Sequence, residues 1–143
     1  MRFSVGADDA GPAVDAAVDA LRAQGHGVEL GRPPGGESAR WADVARGVAS
    51  AVASGEADQG LLFCWTGTGV SIAANKIAGV RAALCGDAET ARGARTWNDA
   101  NVLCLSLRTT TPALAREIID AWLAAPAVDP AERDQIARLE SPP

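Results

Sequence analysis

The chain has 143 residues, 48% of them apolar, which is enough for one domain spanning residues 1–143 with a buried core. Its formal charge of −5, with Lys76 as the single lysine, excludes the massed cations that a nucleic-acid backbone selects. With 4% aromatics and no tyrosine, that core must be built from Ala, Val, Leu and Ile.

Strand-like and helix-like segments alternate from end to end. Arg2–Val5 reads as a short strand, followed by a helix over Pro12–Gln24, with proline in the first turn and Gly25 as the stop. Val28–Leu30 gives a second strand, Gly31–Gly36 a Gly/Pro loop, and about Ala39–Ser54 a second helix. Gly60–Cys64 is short and continuously apolar, the pattern of a strand buried on both faces. It runs into a glycine loop and a helix reaching about Lys76. Val80–Leu84 and Asn101–Leu105 are strands, Asp87–Thr96 and Pro112–Leu123 helices, and Pro130–Leu139 a terminal helix. Five strands separated by helices imply a three-layer, doubly wound α/β fold with a parallel sheet, Rossmann- or flavodoxin-like in order.

Met1–Gly6 is too short and too soon interrupted for a signal peptide, and no apolar run approaches the roughly 20 residues of a membrane span. Cys64, Cys85 and Cys104 form no CxxC spacing, so they read as reduced thiols of a cytoplasmic protein. One histidine, His26, and scattered cysteines make no metal-ligand cluster.

In a sheet of this class the ligand crevice lies beyond the carboxyl ends of the strands. Those ends carry Asp8-Asp9, the loop after Cys64, Cys85–Asp87, and Leu105–Arg108. Cys64-Trp65-Thr66-Gly67-Thr68-Gly69-Val70 is a strand–glycine loop–helix junction, whose amides suit an oxyanion or phosphate. It is neither a P-loop nor a dinucleotide fingerprint. By itself it serves equally as a turn that packs helix on sheet.

Its continuation is more specific. Gly67-Thr68-Gly69-Val70-Ser71-Ile72-Ala73-Ala74-Asn75-Lys76, then Ala78-Gly79-Val80-Arg81-Ala82, resembles the GTG(V/I)G-(I)SIAANK…GIRA signature of the ribose-5-phosphate isomerase type B / galactose-6-phosphate isomerase family. Trp97-Asn98-Asp99-Ala100-Asn101-Val102-Leu103 is similar to the family's HNDxNVL, and Gly6–Gly11 stands where the family has G-(C/S)-D-H-x-G. The resemblance covers about residues 2–140.

What it implies is a cofactor-free, metal-free aldose–ketose isomerase acting through a cis-enediolate on a small carbohydrate. Cys64 stands at the family's base, since Val70 occupies the position where other members carry a glutamate. Gly67, Thr68 and Gly69 supply oxyanion-binding amides, and Thr66 hydrogen-bonds substrate or base. Asn98 matches the residue that holds a sugar hydroxyl, and Asp8 the one that contacts the sugar, although an aspartate there also suits a turn. Arg108 and Arg133 match phosphate-clamping arginines; either also reads as a solvated surface residue. A second C-terminal arginine, due at Ala137, is displaced to Arg138, about 100° around the helix. The resemblance further implies a homodimer or tetramer, with Arg133 reaching the neighbour's site.

The family's histidines are absent. Asp9, Trp97 and Asp134 stand in their places, and Trp65 replaces a glycine after the base. Trp41 and Trp122 lie on amphipathic helices and read as packing; Trp65 and Trp97 fall at the site and alter its volume. A retained base and loop with an altered periphery point to a non-standard sugar or sugar phosphate. The alternative is a catalytically degraded carbohydrate-binding or regulatory subunit of an isomerase complex.

Overall fold

The computed structural model describes residues 1–31 and 40–140. In chain order these form β1 (Arg2–Ala7), α1 (Pro12–Ala23), β2 (Gly27–Leu30), α2 (Trp41–Ala53), β3 (Gln59–Cys64) and α3 (Thr68–Ala74). There follow β4 (Ala82–Leu84), α4 (Ala88–Asn98), β5 (Val102–Ser106), α5 (Pro112–Leu123) and α6 (Arg133–Leu139). The Gly/Pro loop over Gly31–Gly36 lies, beyond Gly31, outside the described residues, as does Ala39. Among the described residues no helix is long and apolar enough to cross a membrane.

The sheet is parallel throughout, in the order β2-β1-β3-β5-β4. The doubly wound α/β class follows the sequence. The order does not: a flavodoxin sheet runs 2-1-3-4-5, whereas here β5 inserts beside β3 and β4 takes the edge. Burial explains the exchange. All five residues of β5 are buried, while β4 has three residues, none fully buried. A short strand is the one that tolerates an edge. β4 also begins two residues later than its apolar run, because the Arg81 N–H is taken by Asn101 Oδ1 at 2.8 Å. The terminal helix is shortened likewise: residues 130–132 form a 3-10 turn, capped by Asp129 Oδ1 accepting from the Ala131 N–H at 2.9 Å.

Side chains of the central strands alternate between two cores. Leu61, Phe63, Leu103 and Leu105 join Phe3 and Val5 beneath α1, α4 and α5. Leu62, Cys64, Val102 and Cys104 join Val44, Val48 and Val70 beneath α2 and α3. α2 approaches so closely that a Cβ at Gly60 would stand 2.7 Å from Val48 Cγ1, and one at Gly6 2.5 Å from Val44 Cγ1. Trp122 is core, as its helix pattern indicates; its indole N–H donates to the buried Gln59 Oε1 at 2.5 Å, so no polar atom is stranded.

Candidate active site

β1 and β3 are neighbours from which the chain winds in opposite directions, so the crevice forms at their carboxyl ends. A pocket of about 570 Å³ lies there, lined by Asp8, Asp9, Arg40, Trp41, Trp65 and Leu107.

The turn after β3 supplies Trp65 to that lining. Gly67 adopts φ +74°, a left-handed backbone that side chains disfavour. A Cβ there would also stand 2.5 Å from Leu84 Cδ1 and 3.0 Å from the Leu105 carbonyl carbon. The Gly67 N–H donates to the Cys64 carbonyl at 3.2 Å, and α3 starts at Thr68 with its first amides free of intrahelical partners. The Thr66 and Thr68 hydroxyls share a hydrogen bond of 2.7 Å. The strand-end stretch of β5 latches onto the same turn. Leu107 N–H donates to the Cys64 carbonyl, Arg108 N–H to the Trp65 carbonyl, each at 3.0 Å, and Ser106 Oγ to the Trp65 carbonyl at 2.9 Å. With Gly67 constrained twice over, Gly67→Ala is expected to lower stability by about 1–3 kcal/mol, read as a fall in the urea midpoint.

Cys64 is only 5% exposed, packed in the α2–α3 core with Val70, and its thiol does not line the pocket. Trp65, by contrast, is 64% exposed. Trp41, read from its helix as packing, is corrected by the structure. It opens α2 at the helix end, is 46% exposed, lines the pocket, and lies against Gly69.

Asp8 sits at the pocket with its Oδ1 buried and without a hydrogen-bond partner among the described residues. Burial raises its pKa, its own backbone N–H lowers it, and the Asp9 carboxylate raises it again. A raised folded-state pKa means that the native state favours the protonated carboxyl. The resulting penalty is absent below the unfolded-state value, grows as pH rises through the folded-state value, and is complete above it. Asp8→Asn is therefore expected to raise Tm at neutral pH, the gain vanishing as pH falls through the carboxylate range. Melting curves across that range check it.

Trp97 and Asn98 lie elsewhere. α4 starts beside the carboxyl end of β4 and ends before β5 begins, so its last turn sits at the amino ends of the strands. Trp97, 51% exposed, folds back over Gly93, where a Cβ would stand 2.6 Å from its ring. With Asn98, Ile77, Leu84 and Leu139 it lines a groove of about 960 Å³ that shares no residue with the first pocket. α6, which carries exposed Arg133, is tied to this end by an Arg81–Glu140 ion pair of 2.6 Å. The sequence-matched residues thus fall into two groups. Asp8, Asp9, the Cys64–Gly69 turn and Arg108 stand at one end of the sheet; Trp97, Asn98 and Arg133 stand at the other.

A family model described as Ribose/Galactose Isomerase matches residues 3–139. This chain belongs to the ribose/galactose isomerase family. A D-erythrulose-4-phosphate isomerase of Pectobacterium atrosepticum is 41% identical over 127 residues, 86% of this chain and 82% of that protein. Ribose-5-phosphate isomerase B of Escherichia coli is 53% identical over 78 residues, 54% of this chain and 52% of that protein, so that match spans about half of each. In structure, ribose-5-phosphate isomerase B of Clostridium thermocellum superposes with a TM-score of 0.90 at 38% identity, covering 98% of this chain and 95% of that one.

Several residues of the family-like motifs hold the scaffold together. Asn75 Nδ2 donates to the Ala82 carbonyl while the Ala82 N–H donates to Asn75 Oδ1, both at 2.8 Å, which ties the end of α3 to edge strand β4. Arg81 pairs with Asp99 at 2.9 Å, and Asn101 Nδ2 donates to the Gly79 carbonyl at 2.8 Å. Among the described residues no group of three or more His, Cys, Asp or Glu is placed to hold a metal.

Proposed function

We propose that this chain is an aldose–ketose isomerase of a short sugar phosphate, moving a proton between C1 and C2 through a cis-enediolate. The observation that carries the reading is the turn after β3, where a strand-end cysteine meets a pinned glycine and a helix start beside a pocket. Cys64, as thiolate, takes the proton from one carbon and returns it to the other. The charge that develops on the oxygens faces the amides of Thr68 and Gly69, donors fixed before the reaction begins, while the Gly67 N–H holds the turn by donating to the Cys64 carbonyl. Thr66 hydrogen-bonds at the reacting end, Asp8 and Asp9 accept from substrate hydroxyls, and Arg108 holds the phosphate. The isomerisation is redox-neutral and needs no electron-carrying cofactor. Asn98 and Arg133 act from a second copy of the chain, which makes the enzyme a homodimer or a tetramer. Its uncombined thiols fit a cytoplasmic location.

The substrate follows from the altered periphery. Trp97 offers only an N–H donor and cannot shuttle a ring proton. A four-carbon sugar phosphorylated on O4 has no free hydroxyl able to close a five-membered ring, so it needs no opening step. A relative that matches 86% of this chain is named for such a substrate, D-erythrulose 4-phosphate. Purified protein is expected to favour D-erythrulose 4-phosphate over ribose 5-phosphate by at least ~10²-fold in kcat/KM. A value of about 10⁴ M⁻¹s⁻¹ or more for ribose 5-phosphate, matched to that for the tetrulose, would overturn the short-chain assignment.

A further inference from the structure

Trp41 has two faces with different tasks. One lies on Gly69, where an added Cβ would stand 3.0 Å, 3.1 Å and 3.3 Å from three atoms of its ring. That contact seats the indole directly on the glycine loop after β3. The rest of the ring, 46% of the residue being exposed, forms pocket wall beside Asp8, Asp9 and Trp65. Of the two indoles in the described lining, Trp41 is the less exposed. An indole has two rotatable side-chain bonds, and here one face is already packed. Sugar carbon chains present apolar C–H faces and hydroxyl edges. Two indole surfaces suit the first, and two carboxylates, one with a buried oxygen lacking a partner, suit the second.

Resting on the isomerase reading above, we infer that Trp41 is a specificity-determining residue. Its ring packs against the C–H face of the substrate and takes up room beside the glycine loop, leaving space for a four-carbon chain. Trp65 lines the same pocket. Its backbone carbonyl is held by Ser106 Oγ at 2.9 Å and by the Arg108 N–H at 3.0 Å, so the residue stands on a fixed turn.

The test compares wild type, Trp41→Phe and Trp41→Ala by calorimetric binding of 4-phospho-D-erythronate and 5-phospho-D-ribonate. In parallel, kcat and KM are measured on erythrulose 4-phosphate and ribulose 5-phosphate. Trp41→Ala is expected to shift the ratio of the two binding constants at least ~10-fold toward the longer acid, and to raise KM for the tetrulose with kcat within a few-fold. Trp41→Phe keeps a ring on Gly69 and is expected to retain the wild-type ranking. An unchanged ratio in Trp41→Ala, or an equal loss for both acids, overturns the assignment, as does wild type that binds neither acid. Binding is read without turnover. Wild type that binds but does not isomerise therefore defeats the isomerase reading, while the Trp41 ratio still decides this one.

Discussion

Cys64→Ala is expected to lower kcat by ~10²–10⁴-fold or more while leaving the fold intact. The size of the effect follows from the chemistry: with the thiol gone, nothing at the end of β3 can take the proton. Folding survives because the residue is a small member of an apolar cluster with Val44, Val70 and Cys104, and the change removes one sulfur atom. Deleting so few buried atoms costs about 1 kcal/mol. The other two cysteines provide controls within the same chain. Burial, and then the Asp87 carboxylate, push the Cys85 thiol up to about 12; burial pushes Cys104 higher still. Both thiols stay protonated at neutral pH and neither can act as base, so Cys85→Ala and Cys104→Ala should keep near-normal kcat wherever they fold. Cys64→Ser separates shape from ionisation, because a hydroxyl of nearly the same size holds its proton far more tightly, and it should be as inactive as Cys64→Ala. Circular dichroism and steady-state kinetics on the four variants decide the matter. Wild-type turnover in Cys64→Ala would remove the mechanism, and Asp8, the carboxyl beside the same turn, would become the base to examine.

Most of the architecture was legible because its signals are local. The apolar run ending at Cys64, the glycines after it, and proline opening α1 and α5 each mark an element through backbone chemistry that needs no distant partner. Strand order is a different kind of fact. It depends on which of two strands wins the interior, and five buried residues of β5 outcompete the three of β4. Trp41 shows a second limit. Helical periodicity assigns the first residue of α2 to a face, but at a helix end that face gives way to the loop it meets, here Gly69. A third limit lies in motifs. Asn75, Arg81, Asp99 and Asn101 stand in the family-like stretches, yet their hydrogen bonds go to the Ala82 and Gly79 carbonyls and to one another, and fasten β4. Spacing alone does not separate a residue that touches substrate from one that holds the strand beneath it.

Two individually inactive variants should restore each other when mixed. Within one chain, β5 separates Asn98 from the Cys64 turn, and five residues of strand span about 16 Å. A short sugar phosphate cannot bridge that distance. If both groups act on one substrate, they come from different copies, and a two-fold axis brings each half to its complement twice. The groove around Trp97, Leu84 and Leu139 leaves three large apolar side chains exposed, at 51%, 41% and 65%, and a neighbouring chain would cover them. Cys64→Ala damages one half and Asn98→Ala the other. Co-refolded at equal concentration, random pairing makes about half of the dimers mixed, and each mixed dimer holds one intact and one doubly damaged site. Recovery should approach about a quarter of wild-type activity, far above either parent. The measurement is turnover before and after co-refolding, with light scattering to establish that the species is a dimer or larger. Activity equal to the mean of the two parents, or a strict monomer at micromolar concentration, would mean that Asn98 takes no part in the chemistry at Cys64.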